Sequence, residues 1–352
     1  MMTYRDTIVV VGVGARTPLG FDAASSAAAV RAGISAIQDH PYMIDRFGEP
    51  MKVTRDIGID VTLPGAERAV EIAVSPAQDA LRPLMASTLP TEVSLILSTG
   101  EARPGQPVGF AVQVNTKLRS RLSQQVVLEG GGSTAGGHAG GLLAIYHACK
   151  TLREGKARFC LAGGVDTYLE PETLEWLDKN EQLHSEGNIY GFCPGEAAGF
   201  CLLTKLTTAR AYGLKPLLEI VGVSTASEEN RIKTETVVLG EGLGAAFRCL
   251  FEDAPVDPVD RIICDMNGER YRGNEYGFAV LRNPGRFKDA ADFETPADCW
   301  GDVGAASGPL FVSLVAEAET RGYQNGPLSL IWAGSEYGAR AATLLGGPRR
   351  SA

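Results

Sequence analysis

The sequence predicts an α/β protein: a layered α/β/α/β/α body made from two similar halves, residues 1–206 and 207–352. Three observations carry this. Short β-branched or continuously apolar runs alternate with amphipathic helical patterns, as expected of strands joined by crossover helices. The alternation restarts near Thr207, after an apolar run that ends at Leu203. Each series also holds one small-residue turn that feeds a helix, at 129–141 in the first and 301–308 in the second. Right-handed crossovers then allow the two helix starts to face each other.

Taken in order, 8–13 is a β-branched strand, and 23–32 is an alanine-rich helix. The Gly12-x-Gly14 pair invites a dinucleotide-binding reading, but Thr17-Pro18 stands where a third small residue should open the helix. Residues 38–66 contain several prolines and read as irregular. A helix follows at 67–84, a strand at 92–98 and a helix at 109–122. The apolar run Gln125-Val126-Val127-Leu128 leads into the glycine-rich turn. In the next helix Leu142, Leu143, Ile145, Tyr146, Cys149 and Leu152 recur at three- and four-residue spacing. The run 159–164 suits a buried parallel strand. A mostly polar stretch extends to Asn188, and 200–203 is again a strand. In the second half strands are expected at 217–223 and 261–265, helices at 243–251 and 310–320, and a last strand at 328–333. His138 stands where backbone N–H groups converge before a helix, a place suited to a reactive group or an anion.

A chain of 352 residues buries about three quarters of its unfolded surface, so core size does not limit it. Hydrophobic content of 44% and charged content of 21% are those of an ordinary globular protein. The net charge of -9 argues against a general nucleic-acid or anionic-membrane surface. Seven cysteines without a CxxC pair point to buried thiols in a reducing compartment. The first residues lack leader features and no apolar run reaches spanning length, so a cytoplasmic location without membrane insertion is expected. No metal-ligand spacing is present, and no cofactor is expected. His147 reads as structural, His40 and His184 as solvated loop residues, and Glu196 as a tie for a turn.

Several motifs share a source. Val10-Val11-Gly12-Val13-Gly14-Ala15 with Thr17-Pro18-Leu19-Gly20 resembles the opening motif of the β-ketoacyl-acyl-carrier-protein synthases of the thiolase superfamily. His138-Ala139-Gly140-Gly141 and Leu161-Ala162-Gly163-Gly164 are similar to the segment around the nucleophile of that family. Gly191-Phe192-x-x-Gly195-Glu196-Ala197-Ala198-Gly199 resembles GFxxGEGAG. Asp265-Met266-Asn267-Gly268, followed by Glu275, resembles NAHGTxTPxND, and 301–308 resembles GHxxGAAG, one residue shorter. The resemblance implies a thiolase-like five-layer fold and a dimer with the strand before the nucleophile near the partner. It places the family's catalytic cysteine and two histidines on His138, Asn267 and Asp302. Phe192, Cys193, Gly141, Ser335 and Tyr337 are the positions it implies for the substrate pocket. A lysine usual before the second histidine is absent near Ala297, and the closing GFGGTN loop has become 335–340.

These substitutions remove the chemistry of condensation. A thiolate is needed to hold the acyl group, and an acyl-imidazole is readily lost to water. Asn267 still offers a donor, whereas an ionised Asp302 offers none and repels the malonyl and enolate charges. His138 and Asp302 are expected to be neighbours, as a general base or as a polar plug in a retired site. With no separate nucleophile beside the pair, the plug is preferred. Cys193 reads as a buried thiol rather than a substitute nucleophile, and Cys264 and Cys299 as packing. The leading expectation is a degenerate, non-condensing subunit resembling a chain-length factor, or an adaptor or chaperone. It would act as a homodimer or as a heterodimer with an intact synthase, with acyl carrier protein a further partner. The alternatives are an acyltransferase or hydrolase using His138 with Asp302, and then a true 3-oxoacyl synthase of fatty acid or polyketide synthesis.

Overall fold

The computed structural model describes residues 7–85, 91–123, 126–232, 234, 236–254 and 256–348. Residues 1–6, read above for leader features, and Gln125 lie outside them. The first part runs β1 (Ile8–Arg16), α1 (Ala23–Arg31), β2 (Gln38–Ile44), β3 (Pro50–Val53), α2 (Gly65–Met85), β4 (Glu92–Thr99), α3 (Phe110–Leu122), β5 (Val127–Ala135), α4 (Gly140–Arg153), β6 (Phe159–Thr167), α5 (Pro171–Lys179) and β7 (Glu196–Lys205). The second runs α6 (Leu206–Ala211), β8 (Leu218–Ser227), α7 (Glu241–Asp253), β9 (Arg261–Cys264), α8 (Arg270–Leu281), β10 (Phe293–Glu294), α9 (Ala297–Trp300), α10 (Ser307–Arg321), β11 (Leu328–Gly334) and β12 (Ala339–Gly346).

Ten strands form one sheet in the order β10-β9-β11-β12-β8-β1-β7-β6-β4-β5. From its centre outward, β1-β7-β6-β4-β5 is matched by β8-β12-β11-β9-β10. Each series starts with two antiparallel pairings and ends with two parallel ones. Among the described residues, the series pair through Ile8, Val9 and Val10 of β1 opposite Ile220, Glu219 and Leu218.

Alternation of side chains along each strand supplies two apolar faces. One face of both series packs on α4 and α10, where Leu142, Ile145, Leu310 and Val312 meet Val10, Cys201, Ile263 and Ile331. The opposite face of the first series is covered by α2 and α3, with Val70, Leu81 and Leu118 against Leu95, Leu97 and Phe200. That of the second is covered by α7 and α8, with Phe247 and Leu250 against Ile262, Trp332 and Leu344. The layers are therefore α/β/α/β/α, as expected.

The differences from the sequence reading have identifiable causes. Residues 38–53 form the hairpin β2–β3, a separate two-stranded sheet whose largely exposed residues hide its alternation. The glycine-rich segment is strand as far as Ala135. Gly130 and Gly131 take φ of 71° and 84° at a register shift against β4, so the turn is confined to 136–139. Within the polar stretch, Pro171 opens α5, which buries Leu174 and Leu177. Helix α8 escaped notice because its buried face carries Arg272 and Glu275 beside Tyr276 and Ala279, so its apolar pattern is interrupted by charge. A further strand, β12, follows the expected last one and pairs with β11 along its length.

Small residues let the central helices approach. A Cβ on Gly141 would lie 2.3 Å from Pro309 Cδ, and one on Gly164 would lie 1.9 Å from the Ala305 carbonyl oxygen. Neither neighbour can yield, since both belong to the turn that opens α10. Gly164→Ala should therefore destabilise the fold by at least about 1–3 kcal/mol, the usual cost of overpacking. Equilibrium urea unfolding measures this; a stability equal to the parent would show that the turn gives way freely.

Candidate functional site

Three separated segments meet where α4 and α10 begin. His138 lies in the turn after β5, which is folded back by bonds from the Gly137 amide to the Thr99 carbonyl (3.2 Å) and from the Gly140 amide to the Gly137 carbonyl (2.9 Å). Asp302 follows α9 and is clamped to 193–195: its amide donates to the Cys193 carbonyl at 2.7 Å, and its carbonyl accepts from the Gly195 amide at 2.8 Å. Asn267 leaves the end of β9. The structure brings these side chains together, with His138 and Asp302 each 4% exposed and Asn267 9%.

The Asp302 carboxylate is the meeting point. Oδ2 lies 2.8 Å from His138 Nε2 and accepts from Asn267 Nδ2 at 2.6 Å. Oδ1 accepts from the Gly304 amide at 2.9 Å and from the Tyr168 hydroxyl at 3.3 Å. An ionised carboxylate only accepts, so the proton between it and the imidazole sits on Nε2. Nδ1 of His138 is buried and has no hydrogen-bond partner among the described residues. Burial alone would push the imidazole pKa down, but the adjacent Asp302 charge outweighs it and holds the group above its ordinary value. Burial likewise disfavours the Asp302 anion, yet the His138 and Arg272 charges with the His138 and Asn267 bonds hold it well below the usual carboxylate range.

Sequence reasoning missed the charged frame around this pair. Arg272, on the first turn of α8, donates through Nη1 to Asp265 Oδ2 at 2.8 Å and to the Gly334 carbonyl at 2.9 Å. Its Nη2 lies 3.2 Å from His138 Nε2, a cation contact because that nitrogen is already committed as a donor. Arg103 grips Asp166 with both terminal nitrogens at 2.7 and 3.1 Å, and its guanidinium lies 3.6 Å from the centre of the Tyr168 ring. Asp166 in turn accepts from the Ala305 amide at 3.1 Å. With His138 protonated, three buried cations (His138, Arg272, Arg103) face three buried carboxylates (Asp302, Asp265, Asp166), and Glu269 adds a fourth carboxylate 3.3 Å from Arg272 Nε. The signal in the sequence was Arg272, five positions after Asn267 inside a motif segment.

The other expected positions divide. Phe192 is buried with its ring edge-on to Tyr168 at 5.5 Å. Cys193 is buried, and burial together with the Asp302 charge pushes its thiol up to about 12, so it stays neutral. Ser335 is buried: its hydroxyl accepts from the Ala139 amide at 2.9 Å and donates to the Gly136 carbonyl at 2.6 Å, pinning the turn that carries His138. Gly141 faces Pro309 and the Ala305 carbonyl rather than the pair. Tyr337 is 64% exposed, and its backbone amide donates to Glu101 Oε1 at 3.0 Å. The cavity that touches Asp302, lined also by Trp300 and Phe311, amounts to about 10 Å3.

Outside the site, Glu196 is tied by Arg68 through two 2.6 Å contacts and by the Asp56 amide and Thr167 hydroxyl. His184 and His147 are exposed. His40 corrects its expectation: it is buried in β2, where Nδ1 accepts from the amides of Tyr42 and Met43 at 3.2 and 3.0 Å. Burial also raises the Cys264 and Cys299 thiols. Among the described residues no His, Cys, Asp and Glu group is arranged to hold a metal, and no helix is long and apolar enough to cross a membrane.

Residues 110–209 match the family model for the β-ketoacyl synthase N-terminal domain. The chain is similar to polyketide synthase PksN of Bacillus subtilis, 29% identical over 149 residues, and to the non-reducing polyketide synthase dpmpA of Macrophomina phaseolina, 28% over 174 residues. These matches take in 40% and 45% of this chain but only 3% and 7% of those much longer proteins. It is also similar to 3-oxoacyl-[acyl-carrier-protein] synthase 2 of Staphylococcus aureus, 23% identical over 74% of this chain and 72% of the relative. Among solved structures, the ishigamide ketosynthase/chain length factor superposes with a TM-score of 0.73 at 20% identity, covering 97% of this chain and all of that one. The AntDE:AntF complex of a ketosynthase with its acyl-carrier protein gives 0.79 at 14% identity, over 98% and 100%. With the layered body, the motif order and these likenesses together, the chain is β-ketoacyl-synthase-like in fold, and in sequence over residues 110–209.

Proposed function

We propose that the protein is a non-condensing, synthase-like subunit in which His138, Asn267 and Asp302 occupy the positions of the family's Cys-His-His set. The observation that carries this reading is the buried 2.8 Å contact between His138 and Asp302, locked by Asn267 and Tyr168. Nε2 of His138 is committed as a donor to a carboxylate and cannot attack an acyl group, and no thiolate takes its place: the nearby Cys193 thiol is held neutral. Asp302 presents negative charge where an enolate oxygen needs donors, and loss of one such donor costs roughly 100- to 1000-fold in rate. Purified protein mixed with acyl- and malonyl-loaded carrier protein should give no condensation product above the uncatalysed background. Product at a rate comparable to an intact synthase would overturn the assignment.

As a subunit, it would pair with an intact synthase in the manner of a chain-length factor, or with a second copy, and present acyl carrier protein with a shaped surface in the cytoplasm. Two observations support a partner. Strand β5 ends the sheet with largely exposed residues, Val127 among them, and uncovered edges of this kind are normally protected. An open cavity of about 880 Å3 flanks it, lined by 129–134 and by His147 and Tyr212. The ishigamide ketosynthase/chain length factor supports the heterodimeric form by likeness. An adaptor or chaperone role would use the same body without acyl substrates. We take the division of the halves at 206/207.

A second reading has its own support: His138 Nδ1 is buried without a partner among the described residues, so it is the ring atom left for a substrate. An acyltransferase or hydrolase would use that atom as a base, and its activity would rise with pH as the imidazole loses its proton. Hydrolysis of p-nitrophenyl or thioester substrates that disappears in His138→Ala would establish it.

The pair also sets a pH signature. Asp302 has a folded pKa below its ordinary 3.8, so its stabilisation is present above that value and is lost as pH falls through the depressed one. His138 has a folded pKa above its ordinary 6.5, so its stabilisation is complete below 6.5 and is lost as pH rises through the raised one. The joint contribution is therefore greatest between roughly pH 4 and 6.5. Within that window His138→Gln should lose about 3–5 kcal/mol, because it strands a buried carboxylate, and the parent's alkaline decline should flatten. Urea melts across pH measure both; a variant more stable than the parent would sink the structural role.

A further inference from the structure

A cavity of about 360 Å3 lies away from the His138–Asp302 pair, between α1, the start of β9 and the end of α10. Its apolar floor is Ala27, Val30 and Leu314, and its rim carries Arg31, Arg261, Tyr323, Asn325 and Glu294. The Arg261 side chain is only 10% exposed. Nε and Nη2 donate to the two oxygens of Glu294 at 2.6 and 2.8 Å. Nη1 is buried and has no hydrogen-bond partner among the described residues. A buried charged donor left without an acceptor is costly, and such groups in folded proteins are normally satisfied.

The remaining groups are donors too. The Arg31 guanidinium lies over the Tyr323 ring at 4.2 Å and makes no ion pair among the described residues. Stacking fixes its plane while leaving its N–H edge available. Tyr323 is placed rigidly, because Gly322 ends α10 in the left-handed region (φ 71°) and the Tyr323 amide donates to the Ala318 carbonyl at 3.0 Å. Burial raises its phenol pKa against the nearby Arg261 and Arg31 charges, so the hydroxyl keeps its proton. Counting Arg31 and Arg261 against Glu294, the rim carries one net positive charge in a chain whose total is -9.

We infer that this cavity is a binding site for a small organic phosphate. Its oxyanion would be held by Arg31, Arg261 Nη1 and the Tyr323 hydroxyl, and its apolar part would rest on Ala27, Val30 and Leu314. Donors from three separate elements suit a tetrahedral group with three terminal oxygens better than a planar carboxylate, which a single guanidinium fork can saturate.

Calorimetric titration of the whole chain with phenyl phosphate tests this. The expected result is saturable binding, weakened roughly tenfold or more in Arg31→Ala and clearly reduced in Tyr323→Phe. Benzoate should bind more weakly than phenyl phosphate. Arg261→Lys keeps a cation on Glu294 while removing the third donor, and should also weaken binding; should it fail to fold, the two exposed-side variants decide. Three outcomes overturn the inference: no saturable heat beyond that of sodium chloride at equal ionic strength, equal affinity for benzoate, or affinity unchanged in both Arg31→Ala and Tyr323→Phe.

Discussion

The carboxylate of Asp302 is the constraint on which the centre of this molecule depends. An isolated anion so deeply buried would be prohibitive, and it persists because donors from His138, Asn267, Tyr168 and the Gly304 amide converge on it. Those donors come from the turn before α4, the end of β9, the end of β6 and the turn before α10. The bonds that satisfy one charge therefore also fix the relative positions of both central helices.

Around this centre lies a second ring of ion pairs, and it ties together the elements that carry the site. Arg272 joins Asp265 and the Gly334 carbonyl, so α8, β9 and β11 are tied at one point. Arg340 holds Glu275 through Nε at 2.5 Å and donates to the Ser335 carbonyl at 2.7 Å, fixing the loop that in turn pins the His138 turn. Each pair is close to neutral by itself. Removing one member would leave a partner charge without compensation, which is why such networks resist piecemeal change.

Much of this was legible in the sequence, and what was not has a common cause. Strand and helix positions followed from apolar periodicity wherever the buried face is apolar, as in α4 with Leu142, Ile145 and Leu152. The meeting of His138, Asn267 and Asp302 followed from motif order. Helix α8 was invisible because Arg272 and Glu275 bury charge, and charge at helical spacing normally marks a solvated face. Strand β5 from Glu129 onward reads as turn in the sequence because its glycines carry no side-chain signal, although an edge strand can accommodate them as a bulge. His40 was misplaced for a related reason: its partners are backbone amides two and three residues on, which no spacing of side chains announces.

The narrow seam between β1 and β8 has a consequence for how the chain behaves as a whole. Among the described residues, strand pairing links the two sheet series over just Ile8, Val9 and Val10, too little to hold two bodies together. Cohesion comes instead from α4 and α10, each of which fills a space bounded by strands of both series. Severing the polypeptide between them would not release a pair of self-sufficient modules. Each fragment would bare an oily slab that only its counterpart can cover, so the repeat visible in the strand order is one of form and not of independence.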